Sequence, residues 1–531
     1  MGDAAVAILN RGSSILLARK PRVTDSRNGT TATAESQDGY TMAVSFWVAH
    51  PPQLSLFSIH ATDKHAKRRY FSDLPRVVGA DGPFVLLRAT FDGSVTREYF
   101  LYKAAVGAAA APSLERIPSP SPEDDICGRG VREFGVLGVH RGGGSYLLAA
   151  LRDAPSSDDD DGYQLRIYSS ETKSWSTRTM QNPCPGVDRV VPDKVITLGG
   201  QDQGSLGWVD LSHGILVCNL LLLLQHQDDH DPPAGAVTFI PLPEPLPGNR
   251  YKLKYPIPPT KKVRKHPMAD EPYCSASWFR DLTCVDGVLK FVEMENTTPP
   301  ESEDNIIYNS DLIVSLKRKA VDGNSKLQLS AFRDAWRAVT WTQKLASPAS
   351  ASNFWRQTCA AHVVDIKQGQ QLALTELYSA FPILSTEEDG DDILYLKSLP
   401  EPGDRDGSVV AVDIGNKSLK ATALYYLPDD FYYNHPYDPE HPFLASTLSR
   451  HLDMTNPGIQ VSACRKITEA SSSSPSETSV CISHHFLFQR VELLPTNLPS
   501  LLSVHRSNRG PQSKDKFLII YGNSLLRCDP I

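Results

Sequence analysis

Apolar residues come in short runs along this chain, several of them alternating with polar positions, and the runs are separated by Gly, Pro, Asp and Ser. Strict alternation is the signature of a half-buried strand, and the separators are turn formers. The clearest instance is Leu206–Leu224, L-G-W-V-D-L-S-H-G-I-L-V-C-N-L-L-L-L-L, which alternates, turns between Asp210 and Gly214, and runs apolar again. Phe84–Leu87, Asp92-Gly93 and Glu98–Tyr102 read as strand, turn and strand, as do the two halves of Leu282–Glu293 around Asp286-Gly287. In both, the Asp-Gly pair supplies the positive φ that a tight hairpin needs. Phe134–Val139 with Tyr146–Leu151, Tyr163–Tyr168 turning into Trp175, and Ile393–Leu396 with Val409–Ile414 repeat the grammar. No 3.6-residue period is sustained.

The pattern predicts an all-β, propeller-like repeat of short antiparallel strands with polar loop insertions. A four-stranded blade cannot bury both of its faces alone, so blades pack around an axis. At roughly 45–80 residues per blade, about six to eight would fit. The expected division is an N-terminal tail at 1–12, a propeller region at 13–427, and a divergent, partly mobile extension at 428–531 with a last hairpin at 517–528. A rival reading divides two β-rich domains near the Pro-rich, basic stretch 244–272. Ile215–Leu224 is too short to span a bilayer, which needs about 20 apolar residues. Its leucines read as a buried strand and its neighbour.

Composition narrows the functional classes. The net charge of −7 lacks the field of a dedicated nucleic-acid binder, which makes nucleic acid an improbable partner. The nine cysteines contain no C-x-x-C pair and their number is odd, which fits reduced thiols in cytoplasm or nucleus better than a zinc site or a disulfide framework.

Candidate chemistry is sparse. His226-Gln-Asp-Asp-His230 has metal-site spacing, but Gln227 replaces the expected Glu and the context is a polar loop. Gly199–Gly207 is glycine-rich without the Lys-Ser/Thr ending of a phosphate loop. No G-x-S-x-G elbow occurs. Asp210 and Asp286 occupy matching contexts, an apolar run followed by a glycine-containing turn. Paired carboxylates can serve acid–base work, whereas an Asp at a hairpin more simply bonds its own backbone. Lys261, Lys262, Arg264 and Lys265 form a basic cluster suited to nuclear import or phosphate contact. The tryptophans, Trp208 among them, read as anchors of blade packing. No cofactor or metal ligand set is expected.

Several of these segments together resemble the plant domain-of-unknown-function family 1618, expanded in grasses. They are Pro83–Arg88 with Tyr99–Tyr102, Val136–Val139 with Tyr146–Leu151, Gly207–Cys218 followed by Ile240–Pro243, Val285–Glu293, and Asp391–Leu396 with Ala411–Ile414. The most specific is the segment carrying Trp208, Asp210 and Gly214. The chain departs from the family pattern at Asn219, where an acidic residue is usual, and in the leucine run, where a loop is usual. The resemblance implies a soluble plant protein with no assigned activity. The leading expectation is therefore a non-enzymatic protein-interaction module with an unknown protein partner. The alternative is an enzyme whose acidic residues converge at a propeller axis, which predicts a central pocket lined by carboxylates with perturbed ionisation. A weaker alternative is association with nucleic acid through the 261–265 cluster.

Overall fold

The structure is a computed structural model that describes residues 14–62, 70–94, 96–105, 111–120, 133–139, 144–153, 162–184, 186–187, 189–199, 204–226, 232–250, 253, 275–296, 336–345, 355–368, 373–386, 392–400, 406–426, 442–452, 465–466, 491–495, 517–521 and 524–528. The chain divides into two compact units, Met1–Thr468 and Glu469–Ile531.

The first unit is a ring of six small sheets, a six-bladed β-propeller. Blade 1 contains β1 (Ile15–Ala18), β2 (Arg22–Val23), β3 (Ala32–Glu35), β4 (Thr41–Trp47) and β5 (Leu54–Thr62). Blade 2 is β6 (Phe71–Asp81), β7 (Phe84–Phe91), β8 (Glu98–Lys103) and β9 (Ser113–Ile117). Blade 3 is β10 (Gly135–Val139), β11 (Ser145–Asp153), β12 (Gly162–Ser169) and β13 (Ser174–Gln181). Blade 4 is β14 (Lys194–Leu198), β15 (Ser205–Asp210), β16 (Gly214–Asn219) and β17 (Val237–Pro241). Blade 5 is β18 (Arg280–Val285), β19 (Val288–Asn296), β20 (Trp336–Lys344) and β21 (Arg356–His362). Blade 6 is β22 (Tyr378–Leu384), β23 (Ile393–Leu399), β24 (Asp406–Asp413) and β25 (Ser418–Tyr426). Blades 2 to 6 are antiparallel meanders in chain order, so each connection is a short hairpin or an insertion.

Closure of the ring uses distant chain. β26 (Phe443–Ser446) pairs antiparallel with β1, Ile15 opposite Ser446 and Ala18 opposite Phe443, and becomes the edge strand of blade 1. β1 in turn lies parallel to β5. The first unit therefore extends past the expected boundary at 427, and β27 (Arg465–Lys466) adds to the outer edge of blade 6. The suggested division near 244–272 does not separate domains: Leu246 and Leu253 pack against a core shared by blades 4 and 5. In the second unit β28 (Val491–Pro495), β29 (Phe517–Tyr521) and β30 (Ser524–Cys528) form a three-stranded sheet, with β29 and β30 antiparallel.

The cores lie between blades. Six clusters of buried residues each draw on two neighbouring blades. The cluster of Leu16 and Phe443 with Ile383, Tyr395 and Val409 joins blade 6 back to blade 1. Two tryptophans add a staple between blades. Trp175 Nε1 donates to Pro118 O at 2.8 Å, and Trp355 Nε1 donates to Pro241 O at 2.8 Å. Each reaches from the outer part of one blade to the end of the blade before it.

The leucine run departs from expectation. Its first half is strand β16, but Leu220–Gln225 forms a short helix, α1. Asn219 caps it, its side-chain oxygen accepting the Leu222 N–H at 2.9 Å. Leu is a strong helix former, and Leu220 and Leu223, three apart, share the buried face. Among the described residues no helix is long and apolar enough to cross a membrane.

Candidate functional site at the propeller axis

The family-motif positions are structural. Trp208 is fully buried in the core between blades 3 and 4. Gly214 is required by close approach: a Cβ there would come within 2.4 Å of Phe239 Cζ and 2.6 Å of the Ile240 carbonyl oxygen. Asp286 (φ 47°) and Gly287 (φ 73°) both take left-handed backbone, the two central residues of the tight turn between paired Val285 and Val288. Asp210 Oδ1 accepts the Ser212 N–H at 2.9 Å, the local turn bond expected of it. Its Oδ2 accepts the Val191 N–H at 2.9 Å and lies 3.1 Å from His213 Nδ1. That bond with Asp210 is the main reason the His213 imidazole holds its proton above the ordinary range. β14 and β18 run side by side in the same direction, Lys194 reaching Asp281 and Gly199 lying against Cys284. Asp210, opposed to the start of β14, and Asp286, at the end of β18, thus sit at opposite ends of the blades and do not pair. Lys261, Lys262, Arg264, Lys265 and His230 lie outside the described residues. Among those described, no group of acids, histidines and cysteines is arranged to hold a metal ion.

The convergence of charge occurs instead at residues not singled out from the sequence. The strands β6, β14, β18, β22 and β26, with Glu133 and Phe134 just ahead of β10, contribute the wall of a cavity of about 280 Å³ along the axis. Its lining includes Arg19, Glu133, Asp193, Lys194 and Asp281. Arg19 Nη2 donates to Glu133 Oε2 at 2.5 Å, both side chains 8% exposed. Lys194 Nζ pairs with Asp281 Oδ1 across blades 4 and 5. Asp81, at the end of β6, is a fastener: Oδ2 accepts the Gly138 N–H and Oδ1 accepts the Thr197 hydroxyl, both at 3.0 Å, tying three blades together.

Asp193 differs from the other acids. Its Oδ2 accepts the Leu211 N–H at 2.8 Å, and among the described residues no cation pairs with it. Enclosure by protein and the nearby Asp210 carboxylate push its carboxyl up to about 7, with Glu133 adding to the effect and Lys194 opposing it. Part of its surface stays open to the cavity. Burial also raises the Asp281 carboxyl, against the pull of Lys194.

The Leu211 amide is held from behind. Its carbonyl accepts from Arg280 Nη1 at 2.9 Å, and Arg280 Nη2 bonds Glu293 Oε2 at 2.8 Å, both side chains fully buried. Glu293 Oε1 also takes the Leu246 N–H at 3.0 Å and Asn249 Nδ2 at 2.7 Å. This buried ion pair, bonded at every polar atom except Arg280 Nε, fixes the loop that faces Asp193.

Residues 208–395 match a family described as a protein of unknown function, DUF1618. The match is narrower than the span of about 13 to 427 read from the sequence. It covers Trp208, Asp210, Gly214, Asp286 and Gly287 of the motif. Of the axial charges it covers Asp281 but not Arg19, Glu133, Asp193 or Lys194. No curated protein matches the chain. Solved structures that match include a mutant of Trypanosoma rangeli sialidase displaying trans-sialidase activity, at 12% identity and a TM-score of 0.24, over 78% of this chain and 57% of that one. Another is Penicillium chrysogenum alpha-L-arabinanase complexed with arabinobiose, at 11% identity and a TM-score of 0.20, over 78% of this chain and 98% of that one. The chain thus spans little more than half the length of the sialidase, and neither likeness informs the site.

The charges needed at the axis carry a faint sequence signal. Glu133 immediately precedes the apolar opening of blade 3, Asp193-Lys194 opens blade 4, and Arg280-Asp281 opens blade 5. In blades 3, 4 and 5 the charged residue at the start of the first strand is placed by the ring symmetry at one end of the axis.

Proposed function

We propose that this protein works through its axial cavity, binding a small polar ligand there, with Asp193 as the group able to give or take a proton. The observation that carries the reading is the lining: a cavity of about 280 Å³ walled by ionisable side chains from several blades, one of them a carboxyl poised near neutrality. Pockets with a few convergent polar groups and a shifted carboxyl are the usual setting of small-molecule sites. A general acid or base is most effective when its ionisation lies near the working pH, and Asp193 meets that condition. This favours the axial-acid alternative over the interaction module. The module remains the second reading, supported by the polar loop insertions. It lacks an apolar patch among the described residues, where only Val364 and Leu424 are exposed large hydrophobics. Residence in cytoplasm or nucleus is supported by the unpaired state of Cys184, Cys218, Cys284 and Cys359.

The test is a thermal-shift screen of polar metabolites against the full chain and against a Lys194→Met variant, which alters the cavity wall. Ligands that stabilise the wild type and lose their effect in the variant support the reading. A screen without any stabilising compound, together with a purified protein partner whose binding is indifferent to Lys194→Met, would replace it with the interaction module.

A further inference from the structure

The acids of the axial cavity are unequally satisfied. Glu133 has Arg19, and Asp81 has an amide and a hydroxyl. Asp193 has one amide and no cation. Asp281 is 1% exposed and pairs with Lys194 through Oδ1 alone. The Leu282 and Leu384 amides lie close to that carboxylate, yet its Oδ2 is buried and completes no hydrogen bond of good geometry. A second buried oxygen in the same wall, Thr386 Oγ1, is also without a partner. A buried acceptor left without a donor loses the hydrogen bonds it made to water, so these atoms call for N–H groups from elsewhere.

We propose that the axial cavity takes a small organic amine, whose ammonium group is received by Asp193 and, lying just beneath the wall, by the unpartnered Oδ2 of Asp281. This rests on the cavity being a ligand site. Ammonium is the matching chemistry because it supplies several donors and a positive charge in one compact group. A carboxylate ligand would place a second negative charge beside Asp281 and hold Asp193 in its protonated form. A neutral polyol would satisfy the acceptors without the charge.

Entry of the ammonium carries a proton consequence. The groups facing Asp193 are Asp210 from β15, Glu133 ahead of β10, its neighbour Lys194, and His213 in the turn after β15. Arg19, Asp81, Asp281, Asp286 and Arg450 complete the charged lining of the cavity, Arg19 being paired with Glu133 and Asp281 with Lys194, and Arg450 makes no ion pair with Asp193. None of these gives Asp193 a cation of its own, so in the empty cavity it holds its proton near neutral pH. The ligand's ammonium provides that cation, and Asp193 releases its proton to solvent as the amine binds.

Calorimetric titration of the full chain with ethanolamine, glycerol and glycolate at pH 6, 7 and 8, in buffers of different ionisation enthalpy, tests this. Ethanolamine is expected to bind about tenfold tighter at pH 8 than at pH 6, releasing close to one proton at pH 6, the linkage expected of one carboxyl titrating near 7. Asp193→Asn removes the pH dependence and the proton release. Asp281→Asn weakens binding at every pH and leaves the proton release intact. The proton count on the wild type is decisive even where a variant does not fold. Binding of glycerol or glycolate in preference to ethanolamine, or amine binding without proton release, overturns the inference and leaves the cavity a ligand site. Failure of all three probes to bind overturns it as well, and the metabolite screen then decides whether the cavity binds anything.

Discussion

Replacing Asp193 by Asn makes the ionisation of the axial cavity measurable as stability. Asn keeps the shape of the protonated carboxyl, and its oxygen can still accept the Leu211 N–H. In the unfolded chain Asp193 titrates at the ordinary 3.8, and in the folded protein at about 7. Below 3.8 both states hold the proton, so the group contributes nothing to pH dependence. Between 3.8 and 7 the unfolded chain loses its proton while the folded protein keeps it, and wild-type stability falls through that window. Above 7 the penalty is constant. A shift of this size corresponds to about 4 kcal/mol at 1.36 kcal/mol per pH unit. The advantage of Asp193→Asn therefore grows by about 2.5 kcal/mol between pH 5 and pH 8.5. For a chain of this length that is a Tm difference widening by about 1–3 °C. Scanning both proteins by differential scanning fluorimetry in half-unit pH steps reads it directly. A Tm difference that stays flat from pH 5 to pH 8.5, or that shrinks with rising pH, would show that Asp193 carries no raised ionisation and would refute the reasoning.

Other parts of the fold give sharper mechanical tests. Glu293→Ala strands the buried Arg280 charge and is expected to destabilise by about 3–5 kcal/mol. The double change Arg280→Met with Glu293→Leu recovers most of that in urea unfolding. Gly214→Ala drives a methyl into the Phe239 ring and the Ile240 carbonyl. A loss of about 1–3 kcal/mol is expected by the same assay, as for other overpacked sites. Asn219→Ala removes the cap of α1 and should cost about 1 kcal/mol, with Asn219→Asp close to neutral. Truncation after residue 427 removes β26, which uncovers the inner surface of β1 and its closing core. That protein should elute as aggregate on size exclusion, whereas truncation after Thr468 should remain monodisperse.

The fold was legible where turn chemistry is local. Asp286-Gly287 and Gly93, with its φ of 83°, mark tight turns whose backbone only a few residues accept. The register of the hairpins around them follows from alternation, because one-residue slips would turn every buried side chain outward. The leucine run hides its helix because five consecutive leucines have no period to distinguish strand from helix. Asn219 decides the matter by capping, and a single polar residue at that spot carries little weight in a pattern. Ring closure left no local trace at all. Phe443–Ser446 is four residues long and finds its partner at Ile15–Ala18 across nearly the whole unit. A strand so short gains its stability from β1 and the core at Leu16, not from its own sequence.

The site was legible only as a principle, and the reason is geometric. Arg19, Glu133, Asp193 and Asp281 come from four blades, and each sits at the margin of an apolar run next to another charged residue. In a linear pattern such a residue is indistinguishable from an ordinary polar flank of a strand. The ring changes its meaning. Successive blades are related by rotation about one axis, so residues at the same height on their first strands are brought to a common centre. The residues that attract notice in sequence, Trp208, Asp210, Gly214 and Asp286-Gly287, are those a blade needs to fold, and such needs recur within each blade. Those at the axis are needed once per ring, and the charges differ from blade to blade. A lining that mixes paired acids with an unpaired one has no structural justification in a propeller that closes through its six apolar cores. Burying Asp193 without a cation works against folding, and the function proposed for the cavity is what would offset it.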